Sequence, residues 1–152
     1  MKHATRRVVL QQGTALAALV SAGLLTSQQA MAAVDAAAFE AKNLADALKA
    51  LGGTAADSKD VTITSPDIAE NGAVVPIAVT SKLAKTQEIY ILVEKNPAPL
   101  TAAFTIPEGT EAFVSTRVKM GQSTNVVAVV KADGKLYSAT KETKVTLGGC
   151  GG

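Results

Sequence analysis

The hydrophobic pattern of the chain changes its period near residue 60. After that point, β-branched and other apolar residues alternate with polar ones in short runs, and Gly, Pro, Asn and Asp separate the runs. Apolar side chains at every second position, with turn residues between the runs, are typical of β-strands. The seven strands predicted in this way are Val61 to Thr64, Ala73 to Thr80, Glu88 to Glu94, Thr101 to Ile106, Ala112 to Lys119, Asn125 to Lys131 and Leu136 to Leu147.

The number and spacing of these strands predict an architecture. Seven short strands separated by regular turn signals favour an immunoglobulin-like β-sandwich. The Cys…Trp…Cys core of true immunoglobulin domains is absent, because the chain has one Cys and no Trp, so aliphatic packing must hold the sandwich together. Pro76 interrupts the second predicted strand. Since proline has no N–H to donate within a sheet, we expect a sheet edge or a β-bulge there.

A helical period precedes the strands, over residues 35–51. Asp35 can cap the start of this segment and Gly52-Gly53 can end it. Charged residues fall mostly off the apolar stripe, so the segment is predicted to be one surface helix packed on the core, without a chemical role. The stripe consists of Ala37, Ala41, Leu44, Leu48 and Leu51.

The first 32 residues are predicted to be an export signal. A basic start leads into an apolar run from Gly13 to Leu25, which is shorter than the ~20 residues of a membrane-spanning helix. Ala30-Met31-Ala32 then provides a small-x-small cleavage site, so the mature chain should begin near Ala33. No cysteine follows the apolar run, which argues against a lipid anchor. We expect no membrane attachment in the mature form.

The basic start also contains a twin-arginine pattern. Arg6 and Arg7 lie within Thr5-Arg6-Arg7-Val8-Val9-Leu10, with Val9 where phenylalanine is usual and Gln11 where lysine often follows. The alternative is an ordinary secretory signal that happens to contain two arginines. The prediction is export by the twin-arginine pathway to the bacterial periplasm.

Charge and composition restrict what the mature chain can do. The three bases of the signal leave twelve basic against thirteen acidic residues, a net charge of −1, and with five aromatics and no basic run we expect no nucleic-acid binding. His3, the single histidine, lies in the signal, and Cys150 is the single cysteine. Ser-His and Cys-His catalysis, histidine-bound metals or haem, and thiolate zinc clusters are thereby excluded. We expect no cofactor, no metal and no catalytic residue.

The chain ends in Gly148-Gly149-Cys150-Gly151-Gly152, so its one thiol is surrounded by glycine. Glycine adds no side chain to packing, and we expect residues 148–152 to form a slim, flexible arm beyond the last strand. At about 3.3–3.6 Å per extended residue, Cys150 would lie about 10 Å past Leu147. This placement predicts that Cys150 covalently binds a substrate, which the arm delivers to a partner's pocket.

Other uses of the tail stay open on these residues alone. A lone exposed cysteine in an oxidising compartment can form an intermolecular disulfide, and the chain would then be a structural or adhesive β-sandwich module that dimerises through Cys150. The tail could also be a functionless end. A third possibility places the chemistry on Gly151-Gly152, as in ubiquitin-like carriers with a C-terminal thiocarboxylate, but those carriers need ATP, which the periplasm lacks.

The tail and the signal together resemble the SoxY family, the sulfur-carrying subunits of the SoxYZ proteins of thiosulfate oxidation. The GGCGG end, within Val145 to Gly152, is the specific element of this likeness, which covers essentially the whole mature chain. The other segments that carry it are Ile68 to Pro76, Glu94 to Pro97, Ser115 to Met120 and Asp133 to Tyr137.

The resemblance implies a covalent carrier rather than an enzyme. Cys150 would hold thiosulfate-derived sulfur, as an S-thiosulfonate and then as a persulfide, in a heterodimer with a SoxZ-like subunit. The haem enzyme SoxAX would attach thiosulfate, the manganese enzyme SoxB would hydrolyse off sulfate, and a sulfane dehydrogenase, where present, would oxidise the outer sulfur. Because SoxZ lacks a signal in the family, the resemblance also implies that the pair is exported together, already folded.

Overall fold

The computed structural model describes residues 36–146, which form a mainly β fold with a helical region ahead of the first strand. From Ala37 onward, these residues belong to one structural unit. Within this part of the chain, no helix is both long and apolar enough to cross a membrane. The nine strands found there are β1 (Ala56–Asp57), β2 (Val61–Thr64), β3 (Ile68–Ala69), β4 (Val75–Ser81), β5 (Thr86–Val93), β6 (Leu100–Thr105), β7 (Phe113–Val118), β8 (Thr124–Ala132) and β9 (Lys135–Val145).

The strands form two sheets. The larger sheet has the order β1-β9-β8-β5-β6, with β3 also paired to β9, and the smaller sheet has the order β2-β4-β7. The pairing of β2, β4 and β7 corresponds to strands A, B and E of the immunoglobulin fold, and that of β5, β8 and β9 to strands C, F and G. The predicted immunoglobulin-like sandwich is confirmed. The seven longer strands match the seven predicted ones, with ends that differ by no more than two residues.

Aliphatic side chains fill the space between the two sheets. Ile77 and Val79 from the smaller sheet pack in one cluster with Ile89, Ile91 and Val126 from the larger sheet, and all five are buried. They occupy the inward positions of strands in which successive side chains point to opposite faces. The sandwich is therefore held by aliphatic packing, as the composition indicates.

The helix predicted ahead of the strands is confirmed, but the helical region is broken and not continuous from residue 35 to residue 51. Residues 36–40 are helical, residues 41–43 are not, and helix α1 (Leu44–Leu51) follows. Asn43 explains the break, because its backbone is extended and its side-chain oxygen accepts a hydrogen bond from the Asp46 N–H at 2.8 Å. Asn43 is therefore the N-cap of a new helix.

The predicted ends and apolar face of the helix have different outcomes. Gly52 ends α1 at φ 129°, a conformation that favours glycine, so this end is confirmed. Asp35, the predicted cap, lies outside the described residues. The break changes the helical phase, so Ala37 is exposed while Ala38 and Ala47 are fully buried. The other stripe residues are buried or partly buried as predicted, namely Ala41, Leu44, Leu48 and Leu51.

Helix α1 covers the outer face of the larger sheet. Ala47 of the helix forms a second buried cluster with Tyr90 and Leu92 of β5 and with Val127 and Val129 of β8. These strand residues alternate with those that face the sandwich interior. Both faces of the larger sheet are therefore covered, and the last six residues of β5 are all buried.

Glu88, at the start of that buried run, is a charged residue that is only 3% exposed. Its carboxylate accepts a hydrogen bond from the Tyr90 hydroxyl at 2.7 Å and lies 3.2 Å from Lys131 Nζ. Lys131 is its cross-strand neighbour on β8. The buried charge is thus both paired and hydrogen-bonded, which lowers the free-energy cost of removing it from water.

Pro76 lies in β4, the central strand of the smaller sheet. It pairs with Arg117 of β7, but the pairing with β2 begins only at Ala78. On the β2 side, Pro76 therefore lies beyond the end of the neighbouring strand, and its side chain is exposed. The predicted edge strand or bulge is therefore wrong, and proline is tolerated because β2 does not extend as far as position 76.

Candidate functional site

The predicted attachment residue and its arm lie outside the described residues. The same holds for the whole predicted site, namely Cys150, Gly148, Gly149, Gly151 and Gly152, and for Arg6 and Arg7 of the predicted signal. The description ends at Thr146, four residues before Cys150. The structure therefore shows the base from which the tail departs, residues 144–146, which we call the root.

The root continues β9 beyond the end of its main partner strand. Pairing between β8 and β9 ends at Thr143, which lies opposite Thr124. The root pairs instead with β3, in parallel. Its first and last backbone N–H groups donate to the carbonyl oxygens of Asp67 and Ala69, at 2.9 and 3.0 Å.

Val145, in the middle of the root, is held from the other side. Its N–H donates to Ser123 Oγ at 2.8 Å, and the Ser123 hydroxyl lies 3.3 Å from the Val145 carbonyl oxygen, to which it donates. The Val145 side chain packs against the sandwich core. Because successive N–H groups of a strand point in opposite directions, β3 and Ser123 hold the two edges of the root between them.

Gly72 packs directly against the root. Its carbonyl oxygen accepts a hydrogen bond from the Met120 N–H at 2.7 Å. A Cβ atom at this position would overlap the Met120 carbonyl oxygen and would lie 2.8 Å from Val145 Cγ1. Only glycine permits this close approach, because the nearest obstacle is backbone and cannot rotate away.

The segment that leads into β3 is tied to β9 just before the root. Lys141 Nζ donates to the Ser65 carbonyl oxygen at 2.6 Å and forms an ion pair with Asp67 at 3.1 Å. The Ser65 and Thr143 hydroxyls share a buried hydrogen bond of 2.9 Å. Lys141, a lysine near the tail in sequence, thus contributes to the attachment of this segment.

Three segments that carry the family resemblance meet around the root. Residues 68–76 supply β3 and Gly72, and residues 115–120 end at Met120, whose backbone contacts Gly72. The third segment, residues 94–97, reaches the second through Asn96, whose side-chain N–H donates to the Lys119 carbonyl oxygen at 2.7 Å. The three segments that resemble the family therefore lie close together around the root.

Sequence reasoning misses Gly72 and Ser123 as functional candidates. Gly72 lies within the quoted segment Ile68 to Pro76, so the resemblance is a signal that could have found it. No sequence signal indicates Ser123, because its contact with Val145 joins positions 22 residues apart.

A groove of about 490 Å³ lies beside helix α1. Leu44, Leu48 and Val127 give it an apolar lining, and Ser138 and Thr140 add polar groups. Among residues 36–146, no group of three or more His, Cys, Asp or Glu side chains is arranged to hold a metal ion. The groove residues include no thiol. The root is the described part of the chain that is nearest in sequence to Cys150.

Comparison with known proteins places these features in a family context. The model of the family described as sulfur oxidation protein SoxY matches residues 47–150. The solved structure of the sulfur carrier protein SoxY from Chlorobium limicola f thiosulfatophilum is 39% identical, with a TM-score of 0.64, over 71% of this chain and 96% of that chain. Among curated proteins, no sequence matches significantly.

A more distant similarity concerns the fold alone. A variant of superoxide reductase (neelaredoxin) from Ignicoccus hospitalis is 17% identical, with a TM-score of 0.50, over 57% of this chain and 79% of that chain. At this identity, the shared sandwich says nothing about shared chemistry.

Proposed function

The chain belongs to the SoxY family of sulfur oxidation proteins, and from this premise we propose that it carries sulfur intermediates of thiosulfate oxidation as covalent adducts on Cys150. In this role it is a carrier and not an enzyme, because other proteins make and break the bonds at its thiol. The observation that carries the proposal is the family match, which extends to residue 150 and so includes the single cysteine of the chain.

The geometry of the root supports a carrier arm. Thr146 is hydrogen-bonded to Ala69, so the tail starts from a defined point on the sandwich. Four residues later, Cys150 can lie up to about 14 Å from Thr146 if the chain is extended. The glycines on both sides keep this segment narrow, and an adduct on the thiol can therefore enter a pocket that the sandwich itself cannot enter.

The first proposed step joins the outer sulfur of thiosulfate to the Cys150 sulfur. Formation of this S–S bond releases the thiol proton and two electrons, which a SoxAX-like haem enzyme accepts. The product is the S-thiosulfonate. In a SoxB-like hydrolase, water attacks the sulfonate sulfur, sulfate and a proton leave, and a persulfide remains on Cys150.

Completion of the cycle requires a six-electron oxidation of the outer persulfide sulfur to a sulfonate. Three water molecules supply the oxygens, protons are released, and a sulfane dehydrogenase-like enzyme accepts the electrons. A second hydrolysis then releases sulfate and restores the thiol. We propose that the chain performs these steps as a heterodimer with a SoxZ-like subunit. The expected result is co-purification of the two chains at equal stoichiometry after co-expression, and recovery of the monomer alone would contradict it.

The proposed location is the periplasm, reached through the twin-arginine pathway, and Arg6-Arg7 supports it. Replacement of both arginines by lysine should leave the precursor in the cytoplasm, as measured by fractionation and immunoblotting. Normal export of the double variant would contradict this route and would favour an ordinary secretory signal.

The carrier function is tested by intact mass of the protein after incubation with thiosulfate and its partner enzymes. Wild-type protein should gain thiosulfate or sulfur adducts, whereas Cys150→Ser should gain none and should abolish thiosulfate-dependent electron release. Its matched control, Cys150→Ser with Thr140→Cys, moves the thiol to an exposed position on β9 and should also be inactive. Activity of the serine variant would refute the carrier function.

Mild reduction separates the carrier from a disulfide-linked structural module. A carrier that has been blocked by oxidation regains its activity when the thiol is restored. A module that depends on an intermolecular bond through Cys150 would instead lose its function on reduction.

A further inference from the structure

The root, residues 144–146, depends on a small set of contacts. Beyond Thr143 they have no pairing with β8, and β3 and Ser123 hold them in place. Thr146 makes the final contacts, because its N–H donates to the Ala69 carbonyl oxygen at 3.0 Å and its hydroxyl lies 3.4 Å from the carbonyl oxygens of Ala69 and Glu70. We call β3, Gly72 and Ser123 the root clamp.

Gly72 occupies a central position in this clamp. It follows β3 by three residues and touches both the Met120 backbone and the Val145 side chain. Any larger residue must move this segment relative to Met120 or Val145. We expect this movement to weaken the pairing between β3 and the root.

We propose that Gly72 is a positioning residue that fixes the pivot of the carrier arm at Thr146. The inference rests on the proposed function, since it concerns how Cys150 is presented to other enzymes. With the clamp closed, Cys150 is the fourth residue after the pivot. With the clamp open, the pivot moves back to Thr143, the end of the β8 pairing, and the span increases to seven residues.

The length of this span affects how efficiently the thiol is delivered. The effective concentration of a tethered group falls with roughly the −3/2 power of tether length, so an increase from four to seven residues reduces it about two-fold. A root that is free to move also presents the arm in many directions. Enzymes that take up the arm from a defined surface of the carrier would therefore bind it less well, which raises KM more than it lowers kcat.

Hydrogen exchange on the mature chain tests the clamp directly. In Gly72→Ala, the backbone amides of residues 144–146 should exchange on the order of ten-fold faster, while amides of β5 and β8 keep their protection. The matched control is Gly121→Ala, because a Cβ there meets nothing within 4 Å. If Gly72→Ala does not fold, Ser123→Ala removes the acceptor of the Val145 N–H and should give the same local result.

A kinetic experiment tests the positioning role. The Gly72→Ala variant is measured in complex with the SoxZ-like subunit. The KM of the SoxAX-like enzyme for this carrier, in the coupling of thiosulfate, should be raised. Labelling of Cys150 by iodoacetamide should be unchanged, because a small reagent needs no positioned arm. Insertion of three glycines after Gly149 lengthens the arm without touching the clamp and should raise KM similarly.

The two measurements decide the proposal. Wild-type exchange of the root amides in a folded Gly72→Ala variant would overturn the proposal. Where Gly72→Ala does not fold, wild-type exchange in Ser123→Ala would overturn it. Unchanged KM in Gly72→Ala, despite fast root exchange, would overturn the positioning role. Failure of the wild-type complex to take up thiosulfate would refute the proposed function instead, and the exchange result would still report on the clamp.

Discussion

The two sheets of the sandwich differ in how many of their faces are buried. In the larger sheet, Ile91 faces the sandwich interior and Leu92 faces helix α1, and both are fully buried. In the smaller sheet, Ile63 is buried whereas Thr62, its neighbour, is exposed. One sheet is therefore a central layer with two apolar faces, and the other is an outer layer with one.

This difference shows why the two sheets have different sequence patterns. A strand covered on both faces needs apolar residues at consecutive positions, as in Ile89 to Val93, whereas a strand covered on one face alternates, as in Val61 to Thr64. The consecutive pattern also signals that something must cover the second face. In this chain, the helix ahead of the first strand provides that cover.

The largest expected effect comes from truncation of two adjacent residues of the larger sheet, compared with an exposed residue of the smaller sheet. Ile91→Ala and Leu92→Ala should each lower the free energy of unfolding by about 2–5 kcal/mol, since each leaves a cavity on its own face of the larger sheet. Thr62→Ala should change it by no more than about 0.5 kcal/mol, because its side chain is exposed. Urea denaturation measures all three, and a Leu92→Ala effect as small as that of Thr62→Ala would contradict the cover by α1.

An intermediate effect is expected from the charge on the covered face. Glu88→Gln removes the ion pair with Lys131 but keeps an acceptor for the Tyr90 hydroxyl, and it should destabilise the protein by about 1–3 kcal/mol. The matched control is Asp133→Asn, which removes an exposed ion pair with Lys85 and should cost less than about 1 kcal/mol. Equal effects in thermal unfolding would show that burial does not distinguish these two pairs.

The smallest effect concerns the helix that provides the cover. Asn43→Ala removes the side-chain acceptor for the Asp46 N–H and should cost about 1 kcal/mol. Asn43→Ser keeps a capping oxygen and should stay close to wild type. Circular dichroism at increasing urea concentration compares the two, and equal stability of both variants would show that the cap does not hold the helix on the sheet.

The longer strands could be predicted because burial leaves a pattern within each of them. The two-residue strands β1 and β3 could not, because their residues are mostly exposed and β9, the strand with which they pair, lies far along the chain. The helix break was missed for a different reason. Asn43 lies within an otherwise continuous apolar period. Periodicity alone does not show that its side-chain oxygen accepts a hydrogen bond from a backbone N–H and so starts a new helix.

The candidate site also has one part that could be predicted from the sequence and one part that could not. Cys150 and its glycines are visible in the sequence because they are adjacent and unusual in composition. The root clamp is not, since the role of Gly72 depends on the approach of Met120 and Val145, which come from distant parts of the chain. A local motif can thus indicate a proposed attachment residue, while the groups proposed to orient it are visible only in the folded sandwich.

The pairing of β1 and β3 with the outer edge of β9 has a consequence for self-association. An uncovered edge strand of eleven residues would offer a row of backbone donors and acceptors to which a strand of another molecule could add, a common start of aggregation. Here β1 pairs with one end of β9 and β3 with the other, and Lys141 ties the intervening stretch to Ser65. The strand that leads to the tail is therefore a poor template for fibril growth, even where the protein is concentrated.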